Sequence, residues 1–294
     1  MFPLSWLTPW ELSPTVIVAC GGALALYVVG LVRAARAGAP ESPWRVAAFV
    51  AGVVSMYAVL QTHYDYLAQH MFWIHRLQHL VLHHLGPLLI ALAAPRLILE
   101  RGVGAQFTER VLRPAWRQPL VRGAYRSIQQ PVVAAALFVG LIFFWLTPAI
   151  HFDAMLSLPL YDAMNWTMAI DGILFWWLML APPPGSTDAP APAYGARIIL
   201  LWFVMLPQIL LGATIGLSRR ELYDVYAVCG RAFPLSPLED QQIGGLITWI
   251  PSSMMTAFAA VILVHRWMRE RSRAELAALD RDGGGAAVLG AHTS

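Results

Sequence analysis

The sequence contains little charge and no lysine. Only 13% of its 294 residues are charged, 58% are hydrophobic, and all twenty basic residues are arginines. A soluble domain carries about 25% charged residues. The shortage of charge therefore predicts a polytopic membrane protein whose surroundings are the lipid bilayer. The formal net charge of +3 gives no reason to expect a nucleic acid as partner.

Cysteine is scarce, and the common catalytic motifs are absent from the sequence. Cys20 lies in a hydrophobic segment and Cys229 in a polar one, so they form neither a disulfide framework nor a CxxC metal pair. There is no GxSxG, no HExxH, no phosphate-binding loop and no dinucleotide fingerprint. We therefore do not expect an enzyme.

The chain does contain hydrophobic segments of membrane-spanning length. About 20 apolar residues are enough to cross a bilayer as a helix. Seven segments are expected to do so, at about 16–32, 46–61, 73–94, 132–146, 165–181, 198–217 and 243–265. We predict an all-α fold in which residues 1–270 form one domain of about seven transmembrane helices and residues 271–294 form a flexible tail.

The arginines are distributed unequally between the segments that connect these spans. Residues 96–130 hold seven of them and are expected to lie on the cytoplasmic membrane surface as an amphipathic loop. With the N-terminus outside, the inner segments hold sixteen arginines and the outer ones four. The positive-inside rule thus favours an outer N-terminus and an inner C-terminus. The expected location is the inner (plasma) membrane of a bacterium.

Six of the nine histidines lie between Gln61 and Pro95. His75 and His79 are one helical turn apart near the outer end of the third span, a spacing that lets two side chains share an ion. We predict a metal site facing the periplasm, with ligands His63, His70, His75 and His79. Supporting or weaker ligands are expected at Asp65, Met71, Gln78, His83, His151 and Asp162.

The metal that suits these side chains best is copper. Imidazole binds several transition metals, and the methionines on the same side favour Cu(I). Two other interpretations stay open: histidines on different helices could hold haem iron, or the rings could hydrogen-bond to neighbouring helices and bind no metal. His83 and His84 lie deepest and are expected to be structural.

One carboxylate, Asp171, lies inside the fifth span. A charge in this position is costly and is expected to have a partner. The candidates are Arg76 and a histidine of the third span.

Three sequence blocks resemble one known family. The first is HRLQH at residues 75–79 with GPLL at 86–89 and Pro95; the others are LYDAM with GILFWWLML, at 160–164 and 172–180, and DQQIGGLITWIP at 240–251. The first block is similar to the HMxQH…PPLL…P signature of the CtaG family, membrane proteins that act as assembly factors for caa3-type cytochrome c oxidase. The three blocks occur in the family's order.

The chain departs from the family pattern at several positions. Arg76 stands where the family has methionine, Thr147-Pro148 replaces a His-Pro, and Asn165 and Asp171 replace histidines early in the fifth span. The resemblance therefore implies ligands only in the third span. It implies a non-enzymatic assembly factor that handles copper, with cytochrome c oxidase subunits or a periplasmic copper chaperone as partners. A bis-histidine haem cytochrome and a metal-free assembly scaffold are the alternatives.

Overall fold

The computed structural model describes residue 8 and residues 11–180 and 192–290. All regular secondary structure in these residues is helical. The helices are α1 (Pro14–Arg36), α2 (Pro43–Gln61), α3 (His63–His70), α4 (Phe72–Ala93), α5 (Arg96–Val103), α6 (105–117), α7 (Pro119–Ile128), α8 (Pro131–Trp145), α9 (Pro148–Leu156), α10 (Leu158–Leu180), α11 (Tyr194–Gly216), α12 (Val225–Val228) and α13 (Pro237–Gly290).

Membrane-spanning length is reached by α1, α2, α10, α11 and α13. Two bent helix pairs raise the number of candidate spans to seven: α4 with α5, which meet at 79°, and α7 with α8, which meet at 69°. The predicted all-α membrane fold with about seven spans is thereby confirmed. The orientation of the two termini stays a prediction.

Proline determines where several of the helices begin and where α4 ends. The helices α2, α7, α8 and α9 each start with a proline, whose backbone is preset for a first helical turn and whose missing N–H would have had no helical partner. Helix α4 stops at Ala93, and Ala94 adopts a left-handed conformation (φ 48°) before Pro95. The predicted end of the third span is therefore confirmed.

The arginine-rich segment 96–130 contains three helices. Helix α5 packs along α1, where the absence of a side chain at Gly102 lets the two backbones touch at the carbonyl of Leu26. Helix α7 is exposed along its length, with Leu120 at 83%. That this segment lies on the cytoplasmic surface of the membrane stays a prediction.

Helix α4 lies among other helices and positions the histidines. It packs against α2, α10 and α13. Helix α13 in turn packs tightly on α11, because Gly212 and Gly216 of α11 meet Gly245 of α13 with no side chain between the backbones. The backbone of α13 continues beyond the membrane-spanning part to Gly290. The flexibility predicted for residues 271–294 stays a prediction, and residues 291–294 lie outside the described chain.

Candidate functional site

The N-terminal end of α4 is held in place by a carboxylate from the last long helix. Met71 has an extended backbone (φ −143°, ψ 126°) that separates α3 from α4. The N–H groups of Phe72 and Trp73, which no helical carbonyl can accept, donate to Asp240 at 3.0 and 2.8 Å. Arg231 donates to the same carboxylate at 2.6 Å. Asp240 thus places the first turn of α4, which precedes His75.

His75 and His79 lie side by side on this first part of α4. Their ring centroids are 4.5 Å apart, and the residues are 0% and 4% exposed. None of the four ring nitrogens makes a hydrogen bond of good geometry among the described residues, although the Asn165 side chain approaches His79 and the Ala68 backbone approaches His75. A buried polar atom without a partner costs about 1–3 kcal/mol. A bound ligand would therefore stabilise these two rings.

His151 of α9 faces the same pair but is already hydrogen-bonded. Its ring centroid lies 5.2 Å from that of His75. Its Nδ1 donates to the carbonyl of Trp145 at 3.0 Å, which leaves Nε2 unprotonated to accept from the hydroxyl of Tyr226 at 3.0 Å. Burial lowers the pKa of His151 to about 3, so the ring is neutral. His151 could bind a metal only after releasing Tyr226.

A second polar cluster adjoins the pair on the side of α3. The Asp65 carboxylate accepts hydrogen bonds from Gln78 at 2.7 Å, Tyr161 at 2.7 Å and Gln69 at 2.9 Å. Burial raises the pKa of Asp65, and the three hydrogen bonds oppose that effect. The ring of Tyr161 lies 5.9 Å from that of His75. Asp65 and Gln78 therefore support the wall of the site through Tyr161.

The other predicted ligands occupy different positions. His63 and His70 stack on the two sides of Tyr66, and His70 Nδ1 donates to the Tyr66 carbonyl at 2.7 Å. Met71 is buried in an apolar cluster, and Asp162 is exposed. In the part of the chain that the structure describes, no three His, Cys, Asp or Glu side chains converge where they could hold one metal ion. The predicted four-histidine set is thus not assembled, and ligation by His75 and His79 stays a prediction.

Three residues of the site were missed by the sequence reasoning. Tyr226 and Tyr161 contact the histidines, and Asp240 caps their helix. Two of the three lie inside blocks that carry the family resemblance, Tyr161 in LYDAM and Asp240 at the start of DQQIGGLITWIP. The family blocks could therefore have pointed to Tyr161 and Asp240.

A family model for the cytochrome c oxidase caa3 assembly factor, Caa3_CtaG, matches residues 25–270. The chain belongs to the CtaG family. An uncharacterized protein of Mycobacterium leprae (strain TN) is 27% identical to it over 84% of this chain and 38% of the relative. Uncharacterized proteins of Mycobacterium bovis and Mycobacterium tuberculosis are each 26% identical over 91% of this chain and 40% of the relative. The chain thus spans about two fifths of the length of these curated relatives. No solved structure matches it.

The deeper histidines of this CtaG-family chain belong to a different arrangement. Residues Val81–Leu85 form a single π-helical turn, and Pro87 has no N–H to donate to the carbonyl of His83. The indole N–H of Trp176 donates to that carbonyl instead, at 3.2 Å. Gly172 packs directly on the same turn, where an added Cβ would lie 2.6 Å from the His83 carbonyl oxygen.

Asp171 also binds this turn. His83 Nε2 donates to Asp171 Oδ2 at 3.0 Å, between side chains that are 1% and 10% exposed. The expected pairing of Asp171 with a histidine of the third span is confirmed, and the pairing with Arg76 is wrong, because α10 directs the carboxylate toward the π-helical turn. His84 stands edge-on to His83, with centroids 5.2 Å apart, and packs on Phe138.

Proposed function

We propose that this chain helps to assemble a haem–copper cytochrome c oxidase and holds copper on His75 and His79 while doing so. Membership of the CtaG family supports the role in oxidase assembly. The observation that carries the copper role is the pair of buried imidazoles whose four nitrogens have no hydrogen-bond partner among the described residues. A metal ion bound by both rings would occupy nitrogens that lack a well-formed hydrogen bond.

The donor set suits copper that is to be passed on. Neutral imidazole is a good copper ligand, and thioether sulfur nearby favours the Cu(I) state. The Met168 side chain lines the cleft beside His79. Two protein ligands leave the coordination of the ion incomplete, so an incoming ligand can displace them. A donor that exchanges its metal needs that open position, whereas a structural site would be closed.

The position of the histidine pair indicates which partners could reach it. His75 and His79 lie at the end of α4 that meets α3 and α9, which the arginine distribution assigns to the periplasmic side in a bacterial plasma membrane. A copper chaperone or an apo-oxidase subunit would approach there. The action is the transfer or holding of an ion and requires no catalytic group of the chain.

The geometry favours copper over haem. Bis-histidine ligation needs two free imidazole nitrogens facing each other across the thickness of a porphyrin. His75 and His151 are the pair from different helices, but their rings touch edge to face and both nitrogens of His151 are hydrogen-bonded. A scaffold that binds no metal is the remaining alternative and is an outcome of the test.

The test measures metal content and absorption spectra of the purified protein and its variants. We expect copper without a Soret band in the wild type, and loss of copper in both His75→Ala and His79→Ala. His70→Ala is the matched control, because this histidine lies near the site but is bonded to the Tyr66 carbonyl; it should keep its copper. Copper retained in both site variants would refute the assignment, and a Soret band would replace it with haem.

A further inference from the structure

Arg76 places a buried positive charge next to the histidine pair without a carboxylate to balance it. The residue is 4% exposed. Its Nε and Nη2 atoms have no hydrogen-bond partner, and no Asp or Glu of the described chain forms a salt bridge with it. A compensating contact is made with the ring of Phe72, whose centroid lies 5.4 Å from Cζ. Tyr161, Tyr223 and Tyr226 also lie close enough to interact with the charge.

The other buried guanidinium group among the described residues is satisfied. Arg197, which is 2% exposed, donates to the carbonyls of Pro192 at 2.8 Å and Met179 at 3.0 Å. The partly exposed Arg231 is also paired and donates to Asp240 at 2.6 Å. A buried cation is normally paired, since desolvation costs several kcal/mol per ion in proteins. The isolation of Arg76 therefore needs an explanation of its own.

A small cleft lies beside Arg76, between α4, α8, α10 and α13. Its cavity of about 20 Å³ has room for only about one or two water-sized groups, which limits an anion there to the size of formate. Its polar lining consists of Arg76, His79, His83, His84, Thr248 and Ser252, and no carboxylate lines it. The hydroxyl groups of Thr248 and Ser252 donate to carbonyls of their own helix at 2.8 and 2.9 Å. Among the described residues, the polar side chains of the cleft that keep an atom without a hydrogen-bond partner are Arg76, His79, His83 and His84.

We propose that this cleft binds a small monocarboxylate anion on Arg76. The planar guanidinium matches a carboxylate with two parallel N–H donors, and an anion there would neutralise the isolated charge. One nitrogen of His79 can donate to the same anion, which leaves its second nitrogen for a metal. The proposal stands on Arg76 and the cleft, and does not require the copper role.

The test uses formate as the probe and gluconate as its size control. The protein in zwitterionic nanodiscs is kept in gluconate buffer, and formate replaces gluconate at constant ionic strength while the melting temperature is recorded. Both ions are monocarboxylates, but gluconate is too bulky for a cavity of about 20 Å³. We expect a saturable rise of a few degrees with formate in the wild type. We expect no rise in Arg76→Met, which introduces the residue of the family signature.

Two further variants make the outcome specific. Arg76→Lys keeps the charge but loses the planar fork, so its response should be weaker than that of the wild type. Arg197→Gln alters the other buried guanidinium and should keep the full response. An equal rise in Arg76→Met, or no rise in the wild type, overturns the proposal. If Arg76→Met does not fold, Arg76→Lys takes its place. A formate titration of Arg76→Lys with the same midpoint and the same rise in melting temperature as the wild type would then overturn the proposal.

Discussion

The two halves of α4 bury the same type of side chain in opposite ways. In the deeper half, His83 donates to Asp171 and its carbonyl accepts from Trp176, so α10 supplies partners for the ring and for the backbone. In the first half, the rings of His75 and His79 are equally buried, but none of their four nitrogens makes a well-formed hydrogen bond among the described residues. In the deeper half, only the Nδ1 atoms of His83 and His84 lack one. Burial of a polar group is tolerated when it is paired and costly when it is not. The first half has therefore given up more stability than the deeper half.

The largest effect is expected from breaking the pair in the deeper half. Asp171→Ala leaves His83 buried without its acceptor, and removing one member of a buried pair costs about 3–5 kcal/mol. We expect a lower yield of folded protein and a lower melting temperature. Adding His83→Phe should restore part of the loss, while adding Arg76→Gln should not. Recovery in the double variant with Arg76→Gln, but not in the one with His83→Phe, would show that Asp171 pairs with the arginine instead.

A smaller loss is expected at Gly172. A methyl group there would meet the backbone of His83, with the carbonyl oxygen at 2.6 Å and Cα at 2.9 Å. Backbone atoms cannot rotate away, so Gly172→Ala forces α4 and α10 apart and should cost about 1–3 kcal/mol. Gly140→Ala on the open face of α8, where nothing lies within 4 Å, is the matched control and should be neutral. Equal melting temperatures for the two variants would contradict this packing.

In the first half of α4, substitution should leave stability unchanged or raise it. His75→Ala and His79→Ala each remove a ring whose nitrogens have no hydrogen-bond partner among the described residues, which offsets the packing that is lost. We expect the free energy of unfolding of each metal-free variant to lie within about 1 kcal/mol of that of the metal-free wild type, measured through the melting temperature. A loss as large as that of Asp171→Ala would mean that the two halves of α4 bury their histidines in the same way.

The smallest effect concerns Asp65, whose folded-state pKa lies above its ordinary value of 3.8 because of burial. Between these two pKa values the folded protein binds more protons than the unfolded chain, so stability falls as pH rises through that window. Asp65→Asn removes the titration and should flatten the curve of melting temperature against pH. A wild-type curve that rises through the same window would mean that the three hydrogen bonds outweigh desolvation.

The sequence allowed the spans and the ends of α4 to be predicted, because hydrophobic length and proline act locally. The π-helical turn at Val81–Leu85, which rotates the residues after it around the helix axis, was not predicted from the sequence. Contacts with Tyr226 and Asp240 could not be predicted from spacing, because each joins residues far apart in the chain. For Asp171, the sequence predicted that a partner must exist, because the carboxylate lies inside a span. It did not predict which partner, since the packing of α10 on α4 selects His83 over Arg76.

The carboxylate that caps α4 has a consequence for biogenesis. Asp240 follows Phe72 by 168 positions, so the first turn of α4 emerges from the ribosome and enters the bilayer long before its cap is translated. Until α13 arrives, the two N–H groups of that turn lack the acceptor that they have in the folded protein. The first turn of α4, and with it the histidine pair, therefore reaches its final geometry only after the last long helix has been inserted.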